Sequence, residues 1–294
     1  MHDVIIVGGS YAGLAAAMQL GRARRDVLVI DGGKRRNATV EHAHGLLGFD
    51  GEAPAAIAAR GREQVRKYST VKFVEGDVTE ARREGEGFVV KTKDAAFSSR
   101  KLILATGVRD ELPEIPGLRE RWGKTAFSCP YCDGYERNMG KLGVLASGDI
   151  ATHFSTIVSQ WGSETTLFSD VAPPPGIQVE HDPVAEVRDA GGIGGGIAVV
   201  TRSGKRYELA GLFVGTHVRH PIDFASMLGL ELETFPNGSF YKTDPRTGET
   251  NVSGVFAAGD ASTPQHALSF AIAAGARAGI GAHASLVFGE LPKH

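Results

Sequence analysis

The N-terminal 31 residues carry the pattern that most restricts the fold of this chain. An apolar run over residues 4–7 is typical of a strand buried on both faces. The turn Gly8-Gly9-Ser10-Tyr11-Ala12-Gly13 follows, then a strong helix former over 14–20 and a second apolar strand, 27–30, that ends on Asp31. This order predicts a βαβ unit that binds a dinucleotide, with the pyrophosphate at the helix N-terminus and the acid at the ribose hydroxyls. Ser10 replaces the usual middle glycine and requires slightly more room beside the phosphates.

The only two cysteines of the chain lie two residues apart, in Ser128-Cys129-Pro130-Tyr131-Cys132-Asp133. This spacing lets two sulfurs meet across one turn, and a turn that opens a helix stabilises a thiolate through backbone N–H groups. Zinc requires four ligands, and the absence of a second cysteine pair predicts no metal site. A structural disulfide across so short a loop would stabilise the fold little. The pattern therefore favours a redox-active pair, with Asp133 placed to carry protons.

Further motifs indicate two related α/β halves. An apolar strand ends on Ala105-Thr106-Gly107, and Gly259-Asp260 closes another strand before a glycine- and alanine-rich helix at about 267–287. Residues 142–168 repeat the strand–turn–helix–strand plan, with the helix expected at 153–161 and with Ala146 in place of the first glycine. We also expect a helix at about 54–68, a hairpin that pairs 88–92 with Phe97, and one strand over 206–214.

Length and charge limit the possible functions. The 294 residues suffice for two domains, and the net charge of −2 gives no electrostatic case for a nucleic acid or membrane partner. The chain enters its first strand directly, and no apolar run approaches the ~18–20 residues of a membrane span. We therefore expect a cytoplasmic protein, since a reducing compartment suits a working dithiol.

Four motifs in order, G-G-S-Y-A-G, A-T-G, C-P-Y-C-D-G and G-V-F-A-A-G-D, resemble the low-molecular-weight thioredoxin reductase family over nearly the whole chain. The resemblance implies an α/β flavoprotein with two dinucleotide-binding-like domains. An FAD-binding domain would comprise 1–114 and 246–294. An inserted, reduced NAD(P)H-binding-like domain, 115–245, would carry the C-x-x-C. The resemblance also implies a homodimer and a rotation between the domains.

The same resemblance implies roles for individual residues. Cys132 is similar to the sulfur that faces the flavin, Cys129 to the sulfur that exchanges with the substrate, and Asp133 to the general acid/base. His44 and His266 are further candidates for proton transfer. The residues expected to bind FAD are Gly8, Gly9, Ser10, Gly13, Asp31, Gly32, Arg36, Asn37, His44, Val78, Ala105, Thr106, Gly107, Gly259 and Asp260.

The chain departs from the family where NADPH would bind. Arginines for the 2′-phosphate should follow the second strand of the inserted domain, but Phe168-Ser169-Asp170 stands there. No Lys or Arg occurs over 142–187, whereas six acids do, and a dianionic phosphate is unfavourable in such surroundings. Asp170 could instead hold the ribose hydroxyls of NADH, although the altered glycine turn argues against this. The family's Arg-Gln pair before the last helix is replaced by Pro264-Gln265-His266-Ala267-Leu268-Ser269.

These departures make the chain resemble the dithiol oxidases that close disulfides in metabolites such as gliotoxin and holomycin. The first hypothesis is therefore an FAD-dependent thiol–disulfide oxidoreductase that does not use NADPH efficiently. Its substrate would be a small dithiol or a thioredoxin-like protein, and oxygen would be the electron acceptor or another donor or acceptor, such as ferredoxin, would take part. The alternative is an NAD(P)H-dependent reductase of a thioredoxin-like protein. A third hypothesis is a non-catalytic flavin redox sensor.

Overall fold

The computed structural model describes residues 1–172, 174–191 and 195–289. The strands are β1 His2–Val7, β2 Val27–Asp31, β3 Val71–Glu75, β4 Val78–Glu84, β5 Gly87–Thr92, β6 Ala96–Leu104, β7 Arg109–Glu111, β8 Ala126–Phe127, β9 Met139–Leu145, β10 Gly162–Phe168, β11 Gln178–Glu180, β12 Val184–Asp189, β13 Ile197–Thr201, β14 Arg206–Leu209, β15 Gly211–Val214, β16 His217–Arg219, β17 Leu232–Phe235, β18 Gly238–Tyr241 and β19 Val255–Ala257. The helices are α1 Tyr11–Arg22, α2 Pro54–Arg66, α3 Leu118–Arg121, α4 Pro130–Asp133, α5 Asp149–Val158, α6 Phe224–Leu228 and α7 Leu268–Phe288, with short 3-10 helices at Tyr135–Arg137, Ser159–Trp161 and Gly259–Ser262.

The chain forms two compact units. The first unit comprises Met1–Ala38, Pro54–Arg109 and Arg219–His294, and the second comprises Thr39–Ala53 and Asp110–Val218. These bounds differ from the predicted domains, 1–114 with 246–294 and 115–245. Segment 39–53 groups with the C-x-x-C segment, and segment 219–245 groups with the N-terminal strands. Of the predicted C-terminal segment, 290–294 lies outside the described residues.

The first unit is built on a sheet of order β3-β2-β1-β6-β5-β4, with β19 also paired to β6. The strands β3, β2, β1, β6 and β19 run parallel, whereas β4 and β5 form an antiparallel meander with β6. The expected βαβ unit is confirmed, since Val4 pairs with Val27 across β1 and β2. The hairpin of β5 and β6 is confirmed as well, with Val90 opposite Phe97.

Helix α7 packs on α1 through small residues. A Cβ atom at Gly275 would lie 2.0 Å from the Ala12 carbonyl oxygen, and one at Gly279 would lie 2.7 Å from that of Ala16. The two backbones therefore approach as closely as glycine permits. Within the described residues α7 is also the one helix long and apolar enough to cross a membrane, a composition shared by the core helices of globular domains. One face of α7 is buried against α1, whereas Phe270 and Ile280 on the same helix are more than half exposed.

The opposite face of this sheet explains why 219–245 belongs to the first unit. Phe224 on α6 and Tyr241 on β18 are fully buried and pack with Ile5 and Val7 of β1. Because these rings complete the core over the parallel strands, the segment is part of that core and not of the inserted domain predicted from the sequence.

The second unit repeats the plan on a smaller scale. Its parallel sheet has the order β11-β10-β9-β15-β8, and an antiparallel sheet contains β12-β13-β14. The predicted helix at 153–161 is wrong in its bounds, since α5 begins at Asp149 and ends at Val158. The predicted single strand over 206–214 is also wrong. The chain leaves one sheet after Leu209 and joins the other at Gly211, because the N–H of Ala210 is taken by the Lys141 carbonyl at 2.7 Å.

Candidate active site

The two cysteines occupy one turn of the second unit. Cys129 caps the N-terminus of the four-residue helix α4, and Pro130 occupies its first position. Both cysteines are thiols, and the S–H of Cys132 donates to Cys129 Sγ at a sulfur–sulfur distance of 2.8 Å. The N–H of Cys132 also donates to the Cys129 carbonyl at 3.2 Å. The prediction that the sulfurs meet across a turn that opens a helix is confirmed.

Hydrogen bonds favour thiolate on Cys129. The S–H of Cys132 makes the largest contribution to lowering the pKa of Cys129, and the N–H groups of Cys132 and Tyr131 add to it. Burial and the nearby Asp133 carboxylate oppose this shift, but the pKa remains below its ordinary value. The lowered pKa increases the thiolate fraction of Cys129 at neutral pH and makes its sulfur a better leaving group than that of an ordinary cysteine.

Asp133 follows Cys132 at the end of α4. Burial is the main cause that raises the pKa of Asp133, to about 6. The neighbouring carboxylate of Glu136 raises it further, while Arg137 and His44 oppose the shift. A carboxyl group that titrates near neutral pH can both accept and return protons. Asp133 therefore has the chemistry expected of the acid/base beside the sulfurs.

His44 lies in the second unit with these groups, whereas the other residues predicted to bind FAD lie in the first. Its Nε2 is 3.4 Å from Glu136 Oε1, and its Nδ1 is 3.6 Å from Asp50 Oδ1. The segment that carries it closes on itself, since the N–H of Gly51 donates to the Ala43 carbonyl at 2.9 Å. No role was predicted for Glu136. Nothing local in the sequence signals that role, because its partner His44 lies in a distant segment.

Aromatic side chains surround the dithiol turn. The Trp161 ring packs on Gly134, where a Cβ atom would lie 2.7 Å from Trp161 Cγ. The Tyr131 ring meets Trp161 edge-on, with ring centroids 5.0 Å apart at 78°. Tyr131 is 73% exposed and Tyr135 85% exposed, so both offer apolar surface beside the cysteines. Trp161 thereby holds one face of the turn while Tyr131 remains accessible.

Three predicted motifs of the first unit converge at the carboxyl ends of β1, β6 and β19. A Cβ atom at Gly8 would lie 2.2 Å from the Ala105 carbonyl oxygen, which joins the first motif to the second. A Cβ at Gly13 would lie 1.8 Å from the Gly8 carbonyl oxygen, and one at Gly259 would lie 2.9 Å from Ala12 Cβ. Only glycine fits at these positions. The space between the motifs is consequently open to a ligand that approaches the backbone.

The predicted ribose acid lies beside this turn. A Cβ at Gly9 would be 2.7 Å from Asp31 Oδ2, and the N–H of Gly33 donates to Asp31 Oδ1 at 3.1 Å. Arg62 on α2 forms an ion pair with Asp31. Arg62 was not predicted, because the 54–66 helix carries no motif that links it to β2.

The remaining predicted residues of the β2 end complete this edge. Gly32 passes so close to Asp77 that a Cβ would lie 2.2 Å from Asp77 Oδ1. Val78 follows directly and is buried at the start of β4. The structure therefore brings Gly32 and Val78 to the edge where Asp31 ends.

Polar groups beside α1 suit an extended anion. Arg36 pairs with Asp260 at 3.0 Å, and Asn37 Nδ2 donates to the Tyr11 hydroxyl at 3.3 Å. Asn37 Oδ1 and Arg35 Nε are buried and find no hydrogen-bond partner within residues 1–172, 174–191 and 195–289. The side chain of Ser10, the N-cap of α1, does not cap the helix.

The N–H groups of the first turn of α1 are therefore available to phosphate. Thr106 is half-buried, and a Cβ at Gly107 would meet nothing within 4 Å. Uncapped N–H groups, orphaned polar atoms and side-chain-free backbone together fit a dinucleotide cofactor.

The corresponding turn of the second unit differs. It reads Ala146-Ser147-Gly148, and Asp149 stands in the first turn of α5. Lys205 lies in the turn between β13 and β14. Its Nζ forms a salt bridge with Glu180 of β11 at 3.0 Å. Tyr207 also donates to Glu180. Lys205 is therefore already paired with a carboxylate and is not free to bind a 2′-phosphate.

Comparison with known proteins gives consistent results. The family model described as pyridine nucleotide-disulphide oxidoreductase matches residues 2–174. The chain is 33% identical to thioredoxin reductase tcpT of Claviceps purpurea, over 88% of this chain and 86% of the relative. It is 31% identical to thioredoxin reductase sirT of Leptosphaeria maculans, over 96% and 93%. The crystal structure of an oxidoreductase from Agrobacterium tumefaciens superposes with a TM-score of 0.91 at 44% identity and covers 98% of this chain and 99% of that one.

Proposed function

Because this chain belongs to the pyridine nucleotide-disulphide oxidoreductase family, whose members are flavoprotein disulfide oxidoreductases, we propose that it is an FAD-dependent dithiol oxidase. A small dithiol would give two electrons to the Cys129–Cys132 pair. Oxygen would be the final electron acceptor. We further propose a homodimer, as the family resemblance implied, and a cytoplasmic location, because a reducing compartment suits a working dithiol.

The residues of the first unit fit FAD. The uncapped first turn of α1 and the glycines at 8, 9 and 13 would hold the pyrophosphate. Asp31, kept in place by Arg62, would accept the ribose hydroxyls, and Asp260 beside Arg36 would face the ribityl and phosphate region. FAD, when bound, supplies the two-electron acceptor for the Cys129/Cys132 dithiol and passes those electrons to oxygen.

Thiol–disulfide exchange would take place at the sulfurs of Cys129 and Cys132. A substrate thiolate attacks Cys129 in the oxidised pair, the Cys129–Cys132 bond breaks, and Cys132 leaves as thiolate. The second substrate thiolate attacks the first substrate sulfur and displaces Cys129, which closes the product disulfide. The lowered pKa of Cys129 favours this departure. Asp133 takes protons from the substrate thiols and returns them to the cysteines, because the pKa of its carboxyl is raised to about 6.

The observation that carries the oxidase proposal is the composition of the second nucleotide-like turn. No Lys or Arg occurs over 142–187, and Lys205 is engaged by Glu180. NADPH would have to place a dianionic phosphate near Asp170 without a bidentate cation. The alternative, an NAD(P)H-dependent thioredoxin reductase, draws support from the names of the relatives.

An anaerobic titration tests the proposal. The purified yellow protein, with FAD identified after release, is titrated with NADPH, then NADH, then dithiothreitol, while flavin absorbance is followed. We expect only the dithiol to bleach the flavin, and air to restore the colour with one peroxide formed per dithiol. Stoichiometric bleaching by either nucleotide would overturn the oxidase and favour the reductase. A flavin that responds to none of the three would overturn both proposals.

A further inference from the structure

Each turnover releases protons at Cys129 and Cys132, and these protons need a path from Asp133 to solvent. Oxidation of a substrate dithiol breaks two S–H bonds, forms the product S–S bond and leaves two S–H bonds on Cys129 and Cys132. When the enzyme disulfide forms again, both protons leave these sulfurs; FAD, when bound, would take up the two electrons and one proton, and the second proton has to leave the site. Asp133 is partly buried beside them. A proton that it accepts needs a route to solvent before the next turnover.

The structure offers such a route in groups of increasing exposure. The His44 side chain is 23% exposed, that of Glu136 32% and that of Asp50 67%. His44 lowers the pKa of Asp133 and Glu136 raises it, so both side chains interact electrostatically with its carboxyl. We propose that His44 and Glu136 form the proton exit of the dithiol site, with His44 as the carrier and Glu136 as the residue that positions it.

Geometry supports the division of roles. The two ring nitrogens of His44 face different carboxylates, Glu136 at 3.4 Å and Asp50 at 3.6 Å. An imidazole between two carboxylates can take a proton on one nitrogen and release one from the other. Glu136 follows α4 in the 3-10 helix Tyr135–Arg137, so it anchors the 39–53 segment to the cysteine turn.

The other charged groups around His44 do not replace this pair. The Arg137 guanidinium, which also lowers the pKa of Asp133, stays protonated and cannot carry the proton. The His42 ring lies 6.5 Å from the His44 ring and is engaged with the Gly51 carbonyl at 2.9 Å. The Asp50 side chain accepts from the Gly45 N–H at 2.8 Å and lies at the solvent end of the route.

This inference rests on the proposed thiol–disulfide exchange. It is tested in the holoenzyme by rapid anaerobic mixing with dithiothreitol, and the rate of flavin reduction is recorded. The variants are His44→Ala, Glu136→Gln and the double variant. Glu164→Gln is the matched control, because Glu164 forms a comparable pair with Lys141 at 2.8 Å on β10 of the same unit. The His44–Glu136 contact is partly exposed, so its loss should not unfold the protein.

We expect His44→Ala to slow flavin reduction by about tenfold and added imidazole to restore the rate in proportion to its concentration. Glu136→Gln should slow it less. The double variant should be no slower than His44→Ala, because the positioning role of Glu136 requires His44 and because loss of its charge lowers the pKa of Asp133, opposite to the effect of losing His44. The control should match the wild type. Absence of imidazole rescue, or additive effects in the double variant, would overturn the inference.

A second readout separates this inference from the proposed function. Alkylation of the reduced cysteines by iodoacetamide needs neither substrate nor electron transfer to flavin. Because His44 lowers the pKa of Asp133, its loss should move the Asp133 inflection in the alkylation profile to higher pH. If dithiothreitol fails to reduce wild-type flavin but this shift occurs, the exchange proposal fails and His44 keeps its link to Asp133. If all variants are reduced at the wild-type rate, the proton exit fails and the exchange stands.

Discussion

The α-carbon of Gly13 faces the carbonyl oxygen of Gly8 so closely that a Cβ atom would lie 1.8 Å from it. This contact fixes the tight turn between β1 and α1. The neighbouring Gly8 adopts a φ of +105° and touches the Ala105 carbonyl in the same way. A side chain at Gly8 or Gly13 would therefore force the backbone of this turn to move, together with the N–H groups that would face the pyrophosphate.

We expect Gly13→Ala to reduce FAD binding severely, because the clash with backbone must displace the turn. The ratio of flavin to protein absorbance after purification measures this loss. Gly61→Ala is the matched control. Gly61 lies within α2, and a Cβ there would meet only Leu14 Cδ1 at 3.3 Å. The control should retain FAD, and full FAD content in Gly13→Ala would contradict the assignment of this turn.

Asp133 should make the folded state less stable as the pH rises. Burial raises the pKa of Asp133 from an ordinary 3.8 to about 6, so the folded protein holds a proton that the unfolded chain has released. The stabilisation associated with that proton is complete below about pH 4 and is lost as the pH rises through about 6. Asp133→Asn removes the cost of burying an ionised carboxylate and should stabilise the protein at pH 8 by roughly 1–3 kcal/mol.

Thermal unfolding of this variant and the wild type at about pH 4 and pH 8 measures the effect. The gain should shrink toward zero at the lower pH. Asp94→Asn, an exposed aspartate in the β5–β6 hairpin, is the control and should leave both midpoints unchanged. An equal gain at both pH values would show that burial of the charge is not its cause.

The parts of the fold that could be predicted from the sequence are those determined by residues close to one another along the chain. The βαβ unit over 2–31 and the cysteine turn each lie within one short window, where turn, strand and helix patterns are all visible. The break at Ala210 is different, because it arises from a hydrogen bond to Lys141 in another strand. The membership of Phe224 and Tyr241 in the first core likewise depends on packing against β1.

The residues of the candidate site also fall into two groups, those that the sequence indicates and those that only the folded structure brings together. The residue types at Cys129, Cys132 and Asp133 indicate their chemistry at once. The ion pair of Arg62 with Asp31, and the contact of His44 with Glu136, join segments that share no local pattern. A single sequence provides no signal for pairs that only the tertiary fold brings together.

The hydrogen bond between the two sulfurs should control the reactivity of Cys129. The S–H of Cys132 is the main cause of the lowered pKa of Cys129. Cys132→Ala removes this donor, so the pKa should rise and alkylation of Cys129 at neutral pH should slow by about tenfold. Cys132→Ser retains a hydroxyl donor and should slow it less. The pH dependence of thiolate absorbance in both variants measures the shift, and identical profiles would exclude the hydrogen bond as its cause.

Glu180 should stabilise the second unit above pH 4.5 and lose this effect in acid. The Tyr207 hydroxyl, the N–H of Asp182 and Lys205 hold the pKa of Glu180 at about 2, below its ordinary 4.5. The carboxylate therefore stabilises the fold at neutral pH, and this contribution disappears as the pH falls from about 4.5 toward 2. Glu180→Gln should lower stability at pH 7 by about 1–3 kcal/mol, because the donors lose their charged acceptor.

Thermal unfolding across this pH range measures the effect, and the gap between Glu180→Gln and the wild type should close in acid. Glu86→Gln, on the exposed β4–β5 turn, is the control and should unfold at the same temperature as the wild type at every pH.

Glu180→Gln also tests nucleotide selection, because it removes the charge that engages Lys205. A single lysine at this position lacks the bidentate geometry of arginine. We therefore expect the variant to remain unreduced by NADPH, and prompt flavin bleaching would show that Glu180 alone prevents the use of this nucleotide.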